Sequence, residues 1–278
     1  MILQEEIPEK SIPGIRSGLI LREQRYGRSW GNPGGFSLST ANAFAPGETA
    51  LNWKILASHL GVPLNSIRML RQVHGTGVLR RFREESVSVR GAASPFTGSP
   101  AAAAHWTTAE AVVLVVFVAD CCPVVVADPD RGIVAIAHAG RQGVVHGIVT
   151  ALLDEICTAG ARRDDLHAWL GPCADGDAYE IGPEVARHFA AYSHAIRPSS
   201  GRPGHSVLDM RAVIRSQLDQ WGVHPERISS STAGTISSTR YHSHRRDYLS
   251  AGRMVAYAML TTDDRQVHDR SLEEGAGG

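Results

Sequence analysis

The sequence predicts a single domain of the mixed α+β class. The first reason is Ala111–Val118, a continuous apolar, β-branched run typical of a strand that is covered on both faces. The second is the helical spacing of apolar residues from Val144 to Ala159, followed by Gly160 as a C-terminal cap. The predicted strands and helices are interleaved without a regular βαβ order, which favours mixed sheets over a doubly wound sheet.

The N-terminal part of the chain has few predicted elements. Residues 1–48 are rich in Gly, Pro and Ser, with a short possible strand at Gly18–Arg22 and a predicted long loop at Gly27–Pro46. A first helix is predicted from Glu48 to Leu60, and Gly61 ends it.

The remaining elements are predicted from the same kinds of signal. Residues 84–105 are small and polar, which indicates an insertion or a surface loop. Asp209 can cap a helix that runs to Trp221, and Pro183 can open another helix at its first turn. Further strands are predicted at Val124–Ala127, Ile133–Ala137 and Ala168–Leu170.

Composition and charge narrow the possible partners. The chain has 28 basic and 28 acidic residues, so its zero net charge gives no electrostatic reason to expect nucleic acid or an acidic membrane as a partner. No apolar run approaches the roughly 20 residues that a spanning helix needs. The N-terminus lacks the basic and then apolar pattern of a signal peptide. We therefore expect a soluble, cytoplasmic protein with a small-molecule partner, and the oligomeric state stays open.

Three dispersed residues are candidate metal ligands. His138 follows the predicted strand Ile133–Ala137, Cys121 follows another buried strand, and His74 follows a third short strand candidate. Two histidines and one cysteine leave the fourth position of a tetrahedral zinc site open, which is the catalytic rather than the structural pattern. The alternative is that the cysteine is a small buried hydrophobic residue and the histidines are ordinary core residues.

Six short segments carry a resemblance to a known family. They occur in the family's order and with suitable intervals, including seventeen positions from Cys121 to His138. From about Ala50 to Leu260 the chain resembles the laccase-domain proteins, also called the laccase-domain purine nucleoside phosphorylase family. The segments are Gln72-Val73-His74-Gly75, Ala119-Asp120-Cys121-Cys122-Pro123, His138-Ala139-Gly140, Gly171-Pro172-Cys173 with Tyr179-Glu180-Ile181-Gly182, Leu208-Asp209-Met210, and Ser243-His244-Arg245-Arg246-Asp247 with Gly252-Arg253.

The resemblance implies a fold, a metal and an activity. The implied fold is a single four-layer α/β/β/α domain over residues 50–262, with residues 1–49 as a loosely matching N-terminal part of the same domain. The composition of residues 263–278 separately predicts a disordered tail. The implied metal is one zinc ion per chain, held by His74, Cys121 and His138. The implied activities are phosphorolysis of adenosine, inosine, guanosine and methylthioadenosine, with phosphate as co-substrate, and deamination of adenosine. The older label of multicopper polyphenol oxidase fits poorly, because only His242 and His244 have the His-x-His spacing of copper clusters.

Beyond the three ligands, Arg245 is the fourth predicted catalytic residue. A guanidinium group suits the oxygens of the attacking phosphate. The alternative for this turn is a structural salt bridge between Arg246 and Asp247. Asp120 either orients a metal ligand or serves as a cap, and Tyr179 either stacks on a purine base or is a core residue.

The chain also departs from the family pattern. Arg141-Gln142-Gly143 stands where the family has Trp-Arg-Gly, so a cationic side chain comes one position early. This departure leaves two alternatives open: a diverged zinc enzyme acting on another nucleoside or an amide, and a metal-binding or ligand-binding protein without turnover. His242 and His244 are predicted to be surface residues beside a basic turn.

Overall fold

The computed structural model describes residues 3–22, 36–38, 46–85 and 99–261. Within these residues we number the strands β1 to β16 and the helices α1 to α6 in chain order. The strands are Glu5–Glu6, Ile15–Ile20, Ile67–Arg68, Arg71–Gln72, Val78–Arg80, Ala101–Ala102, Ala104–Thr107, Val113–Val118, Cys122–Asp128, Ile133–Ala139, His167–Leu170, Glu180–Ile181, Ile196–Pro198, Ser206–Leu208, Ile228–Ser230 and Met254–Leu260. The helices are Pro46–Leu60, Arg141–Val145, Ile148–Thr158, Pro183–Ala186, Met210–Trp221 and His244–Asp247.

Two mixed sheets form the centre of the domain. The first has the strand order β1-β2-β16-β8-β3 and the second has the order β15-β11-β9-β10-β7-β5. In the first sheet, β16 is antiparallel to β8 while β3 is parallel to it. In the second, β10 is antiparallel to β9 while β15 is parallel to β11. The mixed α+β class predicted from the sequence is therefore confirmed.

Strand β8 shows why the two sheets stack. Successive side chains of a strand point to opposite faces, and the predicted run covered on both faces behaves in this way. Val113 and Val115 pack with Trp53 and Leu56 of α1 on the outer face of the first sheet. Leu114 packs between the two sheets, against core residues of β9 and β10.

The far face of the second sheet is covered by α3 and α5. Leu152 of α3 and Val213 of α5 share one core with residues of β9, including Val124 and Val126. The order of layers is therefore α1, first sheet, second sheet, then α3 and α5. This is the four-layer α/β/β/α arrangement that the family resemblance implies.

The helices agree with the sequence prediction at α5 and depart from it at α3. Asp209 caps α5, because its Oδ1 accepts a hydrogen bond of 3.1 Å from the backbone N–H of Ala212. The single helix predicted from 144 to 159 is two helices instead, Arg141–Val145 and Ile148–Thr158. Gly147, with φ of +87°, makes the break between them, because a left-handed residue cannot continue an α-helix.

The prediction of an insertion or surface loop at residues 84–105 was wrong for its last part. Strands β6 and β7 begin there, and Ala103 and Ala104 are fully buried. Their small side chains suit a position beneath α3, because Ala104 shares a core with Ile148 and Leu152. Small residues in this segment therefore reflect close packing between a helix and a sheet. Residues 86–98 lie outside the described residues.

The N-terminal residues belong to the same domain. The strand predicted at Gly18–Arg22 is observed at Ile15–Ile20, and β1 pairs with it. Glu6 of β1 accepts hydrogen bonds of 2.7 Å from Tyr241 Oη and from Ser231 Oγ, two residues far along the chain. Most of the predicted loop at 27–46 and the predicted tail at 263–278 lie outside the described residues. In the described part of the chain, no helix has the length and apolar character required to span a bilayer.

Candidate metal centre and cavity

The three predicted ligands come together at one edge of the sheets. Strand β10 runs antiparallel to β9, so His138 near the end of β10 lies opposite Pro123 at the start of β9. Cys121 immediately precedes β9, which places its thiol beside His138. His74 follows β4, and the ligand atoms of the three residues all lie within 4.8 Å of one another.

The surroundings of His138 leave one ring nitrogen for a metal. Its Nδ1 lies 2.8 Å from the carbonyl oxygen of Phe117 and 2.6 Å from the side-chain nitrogen of Gln72. Its Nε2 is buried and has no hydrogen-bond partner within the described residues. Burial lowers the pKa of His138 to about 4, so the ring is neutral near pH 7. A neutral imidazole with a free Nε2 is the form that binds metal ions.

Gln72 connects the His74 segment to the first sheet. Its side-chain oxygen accepts a hydrogen bond of 2.5 Å from the backbone N–H of Phe117, and its side-chain nitrogen donates one of 2.9 Å to the Phe117 carbonyl. This amide therefore bonds to β8 as a neighbouring strand would. A supporting contact of this kind fixes the orientation of nearby ligands.

Without a bound cation, the Cys121 side chain is a neutral thiol, which is not the form that binds metal ions. Burial raises its pKa to about 12, and the nearby Asp120 and Cys173 add to that effect. Metal ligation requires the thiolate, which a bound cation stabilises. Two imidazole nitrogens and one thiolate are a donor set that zinc accepts.

Gly140 provides the space in which the three ligands meet. A Cβ atom at this position would lie 2.9 Å from His74 Cδ2, 3.0 Å from Cys121 Sγ and 3.4 Å from His138 Nε2. The φ of Gly140 is −76°, which any residue can adopt. The requirement for glycine is therefore steric, and it arises from the ligand cluster itself.

A cavity of about 520 Å³ opens over the three ligands. This volume is within the range of small-molecule sites, about 300–1,000 Å³. The wall also contains the half-buried Tyr179, and it carries three guanidinium groups, from Arg141, Arg245 and Arg253. The cavity is therefore suited to an anionic ligand.

Comparisons with known proteins identify the family and the fold of this chain. Residues 19–261 match the model of the family described as multi-copper polyphenol oxidoreductase laccase. The chain belongs to this family. Among solved structures, the hypothetical protein YfiH of Bacillus licheniformis has a TM-score of 0.80 at 24% identity, covering 89% of this chain and 93% of that chain. YlmD of Geobacillus stearothermophilus has a TM-score of 0.79 at 23% identity, covering 93% and 100%. These two likenesses show the fold.

Curated proteins similar to this chain have enzyme names. A purine nucleoside phosphorylase of Streptomyces coelicolor is 34% identical over 215 residues, covering 77% of this chain and 84% of the relative. One from Xylella fastidiosa is 35% identical over 219 residues, covering 78% and 80%. A protein named adenosine deaminase RL5, from an unknown prokaryotic organism, is 34% identical over 208 residues, covering 71% and 76%. The relatives support an enzyme as the function of this chain.

Arg245, the predicted phosphate contact, lies in the cavity wall, and neighbouring contacts hold it there. Its guanidinium carbon lies 4.9 Å from the centre of the Tyr179 ring, and its Nη1 donates a hydrogen bond of 3.0 Å to the Glu180 carbonyl. Tyr179 also packs against the core beneath α3 and α5. It therefore packs as a core residue, one of the two alternatives, and also lines the cavity wall, while stacking on a purine base stays a prediction.

Asp120 has the capping role. Its two carboxylate oxygens accept hydrogen bonds of 2.6 Å from Thr235 Oγ1 and 2.8 Å from the backbone N–H of Arg245. Asp120 therefore fixes the first turn of α6 against the end of β8. Through this contact it positions Arg245 in the cavity wall.

Arg246 and Asp247 form the salt bridge that was the structural alternative for this turn. The Nε and Nη2 atoms of Arg246 each lie 2.7 Å from a different oxygen of Asp247. The same guanidinium also donates to four backbone carbonyls, those of Thr235, Ile236, Ser238 and Tyr241. Arg246 therefore organises the 235–241 loop, while its neighbour Arg245 lines the cavity.

We expect Arg246→Met to lower the free energy of unfolding by about 2–4 kcal/mol, because several carbonyls and one carboxylate lose a charged partner. Urea titration of the variant measures this loss. Arg187→Met is the matched control, since Arg187 is exposed and donates one hydrogen bond, to Pro183. Equal stability of the two variants would contradict the role given to Arg246.

His242 is buried, so the prediction of a surface position was wrong for this residue. Its Nε2 donates to the Phe36 carbonyl at 2.9 Å, and its Nδ1 accepts from the Gly252 N–H at 3.2 Å. Burial lowers its pKa to about 4. His244, in contrast, is exposed as predicted, and it forms part of the cavity wall beside the ring of Tyr248.

The pKa of His242 predicts a pH dependence of stability. Its folded pKa of about 4 is below the ordinary histidine value of about 6.5, so the unfolded state takes up the proton first as the pH falls. As the pH falls from about 6.5 to about 4, His242 should therefore decrease the free energy of unfolding, by up to about 1.4 kcal/mol per pH unit. In urea titrations across this range, His242→Gln should give a shallower slope than wild type. The exposed His188→Gln serves as control, and parallel slopes for wild type and His242→Gln would refute the assignment.

Three features of the site were not assigned a role from the sequence. Gly140 and Arg253 lie in segments that resemble the family, but nothing local shows that one adjoins all three ligands or that the other enters the cavity wall. Arg141 was noticed only as a departure from the family pattern. The signal that was available is its position directly after the His138-Ala139-Gly140 segment, at the first residue of α2.

Proposed function

We propose that this protein is a zinc-dependent purine nucleoside phosphorylase that also deaminates adenosine. The observation that carries the proposal is the His74, Cys121 and His138 cluster at the base of a cavity whose wall holds three arginines. The names of the curated relatives support the reaction class. The substrates in this class are adenosine, inosine, guanosine and methylthioadenosine, with phosphate as co-substrate. We place the enzyme in the cytoplasm, with small molecules as its partners.

The residues present fit one zinc ion per chain. His138 offers a buried Nε2 that has no hydrogen-bond partner among the described residues, and Gly140 brings no side chain of its own into the space where the three ligands meet. Among the described residues a single group of three ligands comes together, and His242 is committed to Phe36 and Gly252. The donor set thus favours one zinc over a copper cluster. A zinc ion held by His74, Cys121 and His138 would supply a water of lowered pKa, near 7, for deamination.

The protein's own groups then have defined tasks. In phosphorolysis, phosphate attacks C1′ of the ribose, and the purine leaves with the electrons of the glycosidic bond. Arg245 is suited to bind phosphate, because its guanidinium group is held at the cavity wall by the Glu180 carbonyl and the Tyr179 ring. Arg253 lies near enough to His138 and Cys121 to influence both pKa values, so it can bring the anion close to the ligands. Holding phosphate and ribose together supplies the effect of proximity.

A chromatographic assay of the purified protein tests this proposal. Adenosine and inosine are each incubated with and without phosphate. Phosphate-dependent release of adenine and hypoxanthine is the expected result for phosphorolysis, and phosphate-independent formation of inosine from adenosine is the expected result for deamination. If neither nucleoside gives a product while zinc is bound, the site is either a diverged enzyme for another substrate or a binding site without turnover.

A further inference from the structure

We infer that the substrate itself carries a phosphate group, so that the site prefers purine nucleoside 5′-monophosphates to neutral nucleosides, with Arg141 as the contact to the 5′-phosphate. This inference rests on the proposed function and specifies its substrate class. It starts from the charges of the cavity wall rather than from the metal ligands.

The cavity has more positive groups than the proposed reaction with a neutral nucleoside uses. The wall contains three arginines and a single acidic residue, Asp120. Both oxygens of Asp120 already accept hydrogen bonds, from Thr235 and from the backbone of Arg245. The carboxylate is therefore committed to the loop that it caps. Inorganic phosphate can be bound by two arginines, and a neutral nucleoside brings no charge for the third.

The three arginines differ in how they are held. Arg253 donates hydrogen bonds of 3.0 Å and 2.8 Å to the carbonyls of Ala251 and Gly252. Arg245 is held over Tyr179 and bonds to Glu180. The guanidinium of Arg141, by contrast, makes no hydrogen bond or ion pair within the described part of the chain. A half-buried cation without a protein partner is the one best suited to receive an anionic group of the ligand.

Arg141 is placed to receive a second anionic group beside Tyr179. It is the first residue of α2 and follows Gly140, which adjoins the three ligands. Its charge acts on the hydroxyl of Tyr179, whose ring lies under the guanidinium of Arg245. The positive charges of Arg141 and Arg245 therefore both act at Tyr179. A substrate reaching from the ligands to Arg141 would present its second anionic group beside Tyr179.

The reaction balances with this substrate. With adenosine 5′-monophosphate and hydrogen phosphate, the bond from C1′ to N9 breaks and its electron pair goes to the purine. A bond from C1′ to a phosphate oxygen forms, and the purine takes up the proton that hydrogen phosphate loses. The products are adenine and ribose 1,5-bisphosphate, and the 5′-phosphate remains unchanged throughout.

Kinetics on the zinc-loaded protein test the inference. The kcat/KM values for adenosine and adenosine 5′-monophosphate, and for inosine and inosine 5′-monophosphate, are compared in wild type, Arg141→Gln and Arg187→Gln. We expect wild type to prefer each monophosphate by roughly tenfold or more, since charge-assisted hydrogen bonds have energies of that order. Arg141→Gln should bring the ratio close to one. Arg187 is exposed and lies outside the cavity wall, so its variant should keep the wild-type ratio.

Calorimetric binding of the same four ligands separates this inference from the proposed function. Turnover of nucleosides without preference for monophosphates would overturn the inference and leave the phosphorylase intact. Absence of turnover, together with tighter binding of monophosphates that Arg141→Gln abolishes, would overturn the phosphorylase and support the anion contact. Equal binding of nucleosides and monophosphates would overturn the inference whether or not turnover occurs.

Discussion

Replacing Cys121 by alanine should remove zinc from the protein and abolish phosphorolysis and deamination together. The variant keeps two imidazole ligands, but it loses the thiolate, the anionic member of the cluster. Loss of a hydrogen-bond partner of a metal ligand typically weakens metal binding by roughly 10–100-fold. Loss of a ligand itself should weaken zinc binding by more than that. Metal analysis after dialysis and the nucleoside assay measure the two effects.

The matched control is Cys157→Ala. Cys157 is a partly exposed residue of α3 and lies outside the cavity wall, so this variant tests the loss of a thiol as such. It should keep one zinc ion per chain and wild-type activity. A Cys121→Ala protein that remains folded and active at the wild-type rate would refute the assignment of the metal centre.

Gly140→Ala should also weaken zinc binding strongly, although no ligand is changed. The added methyl group would lie 2.9 Å from His74 Cδ2, a distance that real Cβ atoms essentially never show, and 3.0 Å from Cys121 Sγ, which is tighter than most real Cβ contacts. His74 and Cys121 are themselves ligands. Moving either side chain to relieve the contact therefore displaces a ligand. We expect zinc affinity to fall by roughly a hundredfold or more, comparable to or beyond the loss of an outer contact. The backbone tolerates alanine at a φ of −76°, so the fold should persist by circular dichroism.

Gly77→Ala is the control for an added methyl group in the same part of the chain. Its Cβ would meet only Ala102, at 3.8–3.9 Å, which is ordinary van der Waals contact. This variant should bind zinc as wild type does. If Gly140→Ala bound zinc equally well, the ligands would not meet in the space beside Gly140.

The elements of the fold could be predicted where the apolar and capping residues of a segment match the way that the segment packs in the structure. The run around β8 indicated a strand covered on both faces, and the alternate contacts of Val113 and Leu114 with two different cores confirm it. Asp209 and the spacing after it likewise predicted α5. Prediction failed where packing decides, as at Ala103 and Ala104, whose small side chains resemble a loop but lie in a sheet beneath α3.

The candidate site could be predicted in its ligands but not in its surroundings. His138 and Cys121 each adjoin a buried strand, and antiparallel pairing of β9 with β10 is enough to bring them together. The burial of His242 depends on Phe36, which is 206 positions away in the sequence, so nothing local could show it. The entry of Arg253 into the cavity depends in the same way on how distant segments pack.

The most direct test of the metal centre is X-ray absorption at the zinc edge of the purified protein. The account predicts one zinc ion per chain with one sulfur ligand at about 2.3 Å and two imidazole nitrogens at about 2.0–2.1 Å. Any zinc that Cys121→Ala still binds when zinc is supplied should show no sulfur ligand. A zinc shell made of nitrogen and oxygen alone, or purified protein that binds no zinc when zinc is supplied, would contradict the central claim.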